Sequence, residues 1–336
     1  FGVGRGGRSA PFPNASDRGE TEMHTSEYTP LKNGGLTLLI DTDIGPDCDD
    51  AGALAVAAAL AKRYRVPVGA VVSCTSSPYG APCAEAICRF CGLEVGVFAE
   101  NKQPGLLTRA HNMRYNREIA ERFGEKKTYA EAVAAYRRTL AALPDGGAVV
   151  VGIGPFATLA QLMRSAPDDC SPLCGKDLFA KKVRAAVVMA AKYPKGREYN
   201  IICDPSSAIG FFDSCEVPVF FADFDLGYPV RSGFSPTTAP RRDNPLYLAY
   251  LRYCTDGDDT CAQLNASYDL AAMHFAFEGD SEWFGISEPY RFAVTDEGEN
   301  TFTPDPAGRC YRIFKRATDE ALGAYYSGIL SAAGER

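Results

Sequence analysis

Short apolar runs separated by helical stretches occupy the chain from Leu36 to Phe221. Leu36-Thr-Leu-Leu-Ile40, Val66 to Ser73, Val95 to Phe98, Ala148-Val-Val-Val-Gly152, Val183 to Met189 and Val217 to Phe221 have strand length and are rich in aliphatic or β-branched residues. Between them, 51–62 (AGALAVAAALAK), 82–91, a long stretch over 112–142, 156–164 and 205–212 read as helices. Strands that are apolar throughout, rather than alternating, are covered on both faces, and parallel neighbours need crossovers of helix length. The pattern predicts an α/β fold: a central, mostly parallel sheet flanked by helices.

Residues 1–35 are rich in Gly, Arg, Ser and Pro without a period, and are expected to form a flexible N-terminal arm. Residues 36–336 are expected to form a single domain. From about 225 onward it would carry a helical cap or insertion, with helices near 245–253 and 268–277. A short antiparallel pair over 289–315 and a terminal helix near 316–332 complete the expectation.

Charge and composition exclude several classes. The 35 basic residues are outnumbered by 42 acidic ones, for a net charge of −7, so no polyanion-binding surface is expected and nucleic acid is not a predicted partner. No apolar run approaches the roughly 18 residues of a membrane span. Twelve cysteines are present. Cys170 and Cys174, and Cys254 and Cys261, bracket polar, turn-rich loops that read as local disulfides. With the sequons Asn14-Ala-Ser16 and Asn265-Ala-Ser267, they predict a secreted or luminal glycoprotein. A cytoplasmic protein with buried thiols is the alternative. Cys83, Cys88 and Cys91 have zinc-like spacing, but fall in a predicted helix and lack a second CxxC pair.

The segment Asp41-Thr-Asp43-Ile-Gly-Pro-Asp47-Cys-Asp49-Asp50 places five carboxylates within ten residues, between the first strand and the first helix. In open α/β sheets ligands bind at the carboxyl ends of strands. Like charges this close raise one another's pKa, and a bound cation offsets that repulsion. All-oxygen ligands suit Ca²⁺ or Mg²⁺ rather than zinc. An EF-hand does not fit: counted from Asp41, position 6 is Pro46 and position 12 is Gly52. The plainer reading is a solvated loop with Asp49 capping a helix.

Four segments in order resemble the nucleoside hydrolase (inosine-uridine-preferring) family. Its opening D-x-D-P-G-x-D-D-A is similar to Asp41-Thr-Asp43-Ile-Gly45 and Asp49-Asp50-Ala51, with two extra residues between. Gly154-Pro155-Phe156-Ala157-Thr158-Leu-Ala160 resembles G-P-L-T-N-x-A. Glu198-Tyr199-Asn200 with Asp204-Pro205 resembles E-F-N…D-P, after Met189-Ala-Ala191 in place of M-G-G. Tyr268-Asp269 stands where the family often has H-D. The resemblance spans about 36–280 and implies a Ca²⁺-dependent N-ribosyl hydrolase that takes a nucleoside or related N-riboside, in a chain that could be a homo-oligomer. It implies Ca²⁺ ligation by Asp43, Asp50 and Asp269 and by the carbonyl of Ala157. Asp43 would also deprotonate the attacking water, and Asp49, Glu198, Asn200 and Asp269 would bind the ribose hydroxyls. Carboxylates suit an oxocarbenium-like transition state.

The departures matter. Tyr268, the second candidate catalytic residue beside Asp43, replaces a histidine that helps protonate the leaving base, and a phenol of ordinary pKa near ~10 is a weak acid for that task. Tyr268 would stack on the base instead. Of the three histidines, His24 is in the arm, His111 precedes the long helical stretch and could face the pocket, and His274 reads as core or surface. The family's Asn after the second strand is absent from Cys74-Thr-Ser-Ser-Pro-Tyr-Gly80, and Asp47-Cys48 are the additional pair. Two alternatives follow. One is a non-catalytic or altered-substrate relative that keeps the metal and ribose site. The other is a haloacid-dehalogenase-like phosphohydrolase using Asp41 or Asp43.

Overall fold

The computed structural model describes residues 28–99, 114–236 and 241–333. Its backbone is a ten-stranded mixed sheet with helices on both faces. The first half runs β1 (Thr37–Thr42), α1 (Asp49–Tyr64), β2 (Val68–Ser73), α2 (Gly80–Phe90), β3 (Val97–Ala99), α3 (Asn116–Phe123), α4 (Ala132–Ala142), β4 (Ala148–Ile153), α5 (Ala157–Arg164), α6 (Gly175–Lys182) and β5 (Val183–Met189). It continues through β6 (Lys195–Arg197), α7 (Tyr199–Cys203), α8 (Pro205–Ser214), β7 (Val219–Ala222), α9 (Phe224–Gly227), β8 (Arg231–Phe234), α10 (Pro245–Thr255), β9 (Gln263–Ala266) and α11 (Tyr268–Glu278). The chain ends with β10 (Phe284–Val294), β11 (Glu299–Pro304), β12 (Cys310–Lys315) and α12 (Asp319–Ala332).

The sheet order is β3-β2-β1-β4-β5-β7-β12-β10-β11-β6. From β3 to β12 every neighbour is parallel, and β10, β11 and β6 extend the sheet with antiparallel pairs. Strand order reverses between β1 and β4, both of which start from the N-terminal half. Such a reversal opens a crevice at the carboxyl ends of the two strands.

Period-two alternation explains why the strands are apolar throughout. Leu38 and Ile40 of β1, with Val149 and Val151 of β4, pack into a core with α1, α10, α11 and α12. Leu39, Val150 and Val188 face the opposite core, made with α4, α5 and α8. Both faces are covered, so neither register of alternation leaves polar residues outward.

Two expectations need correcting. The stretch over 112–142 is two helices, and nothing helical joins them. Gly124 closes α3, and Glu131 opens α4 by accepting the N–H groups of Val133 and Ala134. The segment 289–315 is three strands rather than an isolated antiparallel pair. β12 lies parallel to β7, so the C-terminal part joins the main sheet. The helix expected near 205–212 is present as α8, Pro205–Ser214. Its start follows the sequence reading: Asp204 accepts Ser207 N–H and Pro205 occupies the first turn.

Of the arm expected over 1–35, only 28–35 are among the described residues. There Tyr28 and Leu31 are buried, with the Tyr28 ring stacked on Phe275 at 4.9 Å and its hydroxyl donating to Ala276 O. No described helix is long and apolar enough to cross a membrane.

The expected local disulfides are not formed: all twelve cysteines are free thiols. Cys261 is exposed and its thiol donates to Asp258. Cys254, on α10, instead faces Cys48. The sequon at Asn265 lies within β9, where Asn265 is 8% exposed and its Nδ2 is buried. A glycan on that nitrogen has no room in the folded chain. The sequon at Asn14 lies outside the described residues.

Candidate active site

The acidic turn is built by the backbone around it. Asp41 is the penultimate residue of β1, and Asp43 is the first beyond it. Thr42 Oγ1 accepts the N–H of Ile44 at 3.2 Å and donates to Asp50 Oδ1, closing the turn onto the first turn of α1. Gly45 sits at φ +148°, a conformation that L side chains rarely adopt. From outside, Asn116 Nδ2 donates to Ile44 O at 3.1 Å and the Tyr115 hydroxyl donates to Asp47 O at 2.7 Å. Gly154, after β4, allows a second close approach. A Cβ there would lie 2.8 Å from Asp43 N and 2.8 Å from Cys74 Sγ.

A cavity of about 330 Å³ opens at the carboxyl ends of β1, β4 and β5, at the switch in strand order. Asp43, Asp49, Glu198, Asn200, Tyr268 and Asp269 all line it. They come from four separate elements: the β1 turn, the start of α1, the α7 segment and the first turn of α11. Asp50 lies deeper, and oxygens of Asp47, Asp49, Asp50 and Asp269 fall within 4.8 Å of one another. Ala157 is buried in the first turn of α5 and does not itself line the cavity, whereas Ile153 does. Asp47, whose role the sequence left open, contributes both to the cavity and to the carboxylate cluster.

Asp43, Asp49, Asp50, Asp269, Glu198 and Asn200 are each no more than 5% exposed. Burial is the first cause that pushes the four aspartates well above the ordinary carboxylate range, and the neighbouring carboxylates add to it. Only part of this charge is answered by hydrogen bonds. Asp269 N–H, at the start of α11, donates to Asp49 Oδ2 at 3.0 Å. Asp49 Oδ1 and Asp50 Oδ2 are buried with no hydrogen-bonding partner among the described residues. Buried carboxylate oxygens in this condition, four carboxylates deep, are a donor set for a hard cation.

At the other end Glu198 caps α7. Its Oε1 accepts Asn200 N–H at 2.9 Å and its Oε2 accepts Ala191 N–H at 3.3 Å. Burial still lifts its pKa to about 7, because desolvation exceeds the contribution of those backbone bonds. Asn200 Nδ2 donates to Met189 O at 3.1 Å, which fixes the amide at the end of β5. The capping role and the cavity-lining role are therefore the same side chain in the same conformation.

Tyr268 is half-buried, and burial followed by Asp49 and Asp47 pushes its phenol further above its ordinary pKa. It stays protonated at any physiological pH. Its ring lies 5.3 Å from Phe224, which itself stacks on Tyr228 at 5.0 Å. His111 is outside the described residues, and His274 is a core residue whose Nδ1 faces the Tyr326 hydroxyl at 3.2 Å, with burial lowering its pKa to about 4.

The cavity also has walls that the motifs did not reveal: Arg114, Phe224 and Tyr253. Phe224 stands two residues beyond the end of β7, so the strand-end rule could have found it. Arg114 and Tyr253 come from a segment before α3 and from α10, and carried no signal. They meet at the rim, with the guanidinium 5.0 Å from the Tyr253 ring centre.

The profile of the inosine-uridine preferring nucleoside hydrolase family matches residues 38–301. The chain belongs to this family. By class it is an N-ribosyl hydrolase with an acidic metal-binding cluster. Solved nucleoside hydrolases share the fold. A plant nucleoside hydrolase is 18% identical with a TM-score of 0.62, covering 89% of this chain and 99% of its own. An inosine-uridine preferring nucleoside hydrolase from Bacillus anthracis is 13% identical with a TM-score of 0.63, covering 90% and 100%. The type III effector protein XopQ, complexed with adenosine diphosphate ribose, is 16% identical with a TM-score of 0.62, covering 91% and 99%. A search of curated protein sequences gives no significant match.

Membership in the nucleoside hydrolase family replaces the haloacid-dehalogenase-like reading. The geometry gives the reason. Asp41, one of the two nucleophiles that reading allows, points to the other face of the sheet, where its Oδ2 accepts the Tyr136 hydroxyl at 2.9 Å, which leaves only Asp43 in the cavity.

Proposed function

We propose that this nucleoside hydrolase is Ca²⁺-dependent and cleaves the N-glycosidic bond of a ribonucleoside, releasing ribose and the base. The observation that carries the reading is the joint one. A buried carboxylate cluster with unpartnered oxygens shares a cavity with Glu198, Asn200 and an aromatic wall.

Asp43, Asp50 and Asp269, with the carbonyl of Ala157, would hold the ion, and Asp47 is placed to join them. The bound cation would supply charge neutralisation and a lowered pKa for the attacking water. The remaining roles belong to the chain. Asp43 takes the proton from the water that attacks the anomeric carbon. Asp49, Asp269, Glu198 and Asn200 accept from and donate to the ribose hydroxyls, and so fix the ring in one orientation. The carboxylates around the ring stabilise the positive charge that develops as the glycosidic bond lengthens. Tyr268 and Phe224 offer aromatic faces to the base, and the protonated Tyr268 hydroxyl can donate to a ring nitrogen or carbonyl.

Tyr268 in place of histidine keeps the altered-substrate reading alongside this one. A phenol with a raised pKa gives little leaving-group protonation. Substrates whose base leaves readily as an anion are therefore favoured over those that need a proton. The test is ribose release from p-nitrophenyl riboside, inosine and uridine. We expect turnover of p-nitrophenyl riboside, with slower turnover of the two nucleosides. Ribose binding without hydrolysis of any of the three would establish the non-catalytic relative instead.

A further inference from the structure

Cys48 stands inside the acidic turn, between Asp47 and Asp49, and its side chain is fully buried. Its Sγ lies 4.0 Å from Sγ of Cys254, a residue 206 positions later in the last turn of α10. Both cysteines adjoin cavity walls: Asp47 and Asp49 flank Cys48, and Tyr253 precedes Cys254. Cys254 is partly exposed, so a small reagent in solvent can reach the pair from that side.

We propose that Cys48 and Cys254 are an oxidisable dithiol built into the wall of the cavity, closed to a disulfide by exchange with a small-molecule disulfide. The sulfurs are in contact but not bonded, and a bond of about 2.05 Å requires them to approach by about 2 Å. Both sites can supply that movement. Cys48 precedes the first helical residue of α1, with φ −101° and ψ −5°. Cys254 is one residue from the end of α10, which stops at Asp256 in the left-handed conformation.

The exchange runs in two displacements. The Cys254 thiolate attacks one sulfur of the reagent, forming a mixed disulfide and expelling one small thiolate. Cys48, on losing its proton, then attacks the Cys254 sulfur. The protein disulfide forms and the second small thiolate leaves. Two electrons pass from the protein to the reagent, and the two thiol protons end on the two released thiols. The order follows from access, since Cys254 is the half-buried partner. The Cys48 thiol beside it also holds the Cys254 pKa below the ordinary thiol value. Once formed, the bond ties the acidic turn to α10 and restricts the wall that carries Asp47, Asp49 and Tyr253.

The experiment is incubation of the full chain with glutathione disulfide, then peptide mass mapping without reduction. The expected product is a cross-linked pair of peptides carrying Cys48 and Cys254, lighter by two hydrogens than the separate peptides. In Cys48→Ser the reaction should stop at one glutathionyl adduct on Cys254. Amide hydrogen exchange of the native oxidised protein should be slower over 44–50 and the end of α10 than in the reduced protein. A Cys254–Cys261 link, or glutathionyl adducts on Cys254 in the wild type without the cross-link, would overturn the pairing. Unchanged or faster exchange in those two segments would overturn its effect on the cavity wall.

Discussion

Asp50 shows how one side chain can hold together two arguments. Its Oδ1 is taken by Thr42, while its Oδ2 is buried and unpartnered. Asp50→Asn keeps the shape and removes the charge. In the wild type, Ca²⁺ at a hundredfold excess over its dissociation constant should stabilise the fold by about 2.7 kcal/mol, a rise of several degrees in Tm. In Asp50→Asn that rise should vanish; an equal rise in both proteins would remove Asp50 from the site. Glu198 provides a pH test. Its pKa rises on folding from an ordinary 4.5 to about 7. The folded state therefore holds the proton more tightly, and stability is fully present below pH 4.5 and falls as pH rises through about 7. Glu198→Gln cannot titrate, so thermal melts in EDTA should show the wild type losing stability relative to the variant across that window. Parallel curves would contradict it. Asp50 was legible because a dense acidic turn after a buried strand has few physical explanations, whereas Glu198 was named only through the family resemblance of Glu198-Tyr199-Asn200. Arg114 and Tyr253 were not, because a rim made from two distant segments leaves no local pattern.

Elements position those residues through a few tight backbone contacts. The connection after β5 places Ala191 at φ +78°, where its N–H reaches Glu198 and its carbonyl accepts Phe224 N–H at 2.9 Å. An L residue there costs roughly 1–2 kcal/mol. Ala191→Gly should therefore stabilise the protein by up to about 1 kcal/mol after the flexible unfolded glycine is counted, read as a higher midpoint in urea. A lower midpoint would mean that the strain is absent. Gly154 is the opposite case. Gly154→Ala forces a methyl against Asp43 N and Cys74 Sγ, and should cost about 1–3 kcal/mol. A urea midpoint equal to the wild type would show that the β1 and β4 ends are not as close as described. The strands and most helices were visible as apolar runs and breaks. The division of 112–142 into α3 and α4 was not, because a single glycine, Gly124, is the one break in a segment whose charged residues and alanines otherwise suit a helix. The cap supplied by Glu131 becomes visible only with its partners in place.

At the scale of the whole molecule, one sheet carries both halves of the site. The β1 turn and α1 supply Asp43, Asp49 and Asp50; α7 supplies Asn200, with Glu198 as its cap; and α11, beyond residue 266, supplies Asp269. The α11 helix packs along α1, and the N–H of its second residue, Asp269, donates directly into the acidic turn. Long-range closure of this kind was implied by motif order alone, while the joining of β10 to β12 onto β7 was hidden. Of these strands β12 pairs with β7, a neighbour about ninety residues away, which no periodicity reports. The account stands or falls on whether this assembled cluster does chemistry. The most direct measurement is ribose released from p-nitrophenyl riboside by the wild type in Ca²⁺, by the wild type in EDTA, and by Asp43→Asn in Ca²⁺. The account predicts steady release in the first and a loss of at least about a hundredfold in the other two. Undiminished release in EDTA, or from Asp43→Asn, would contradict it.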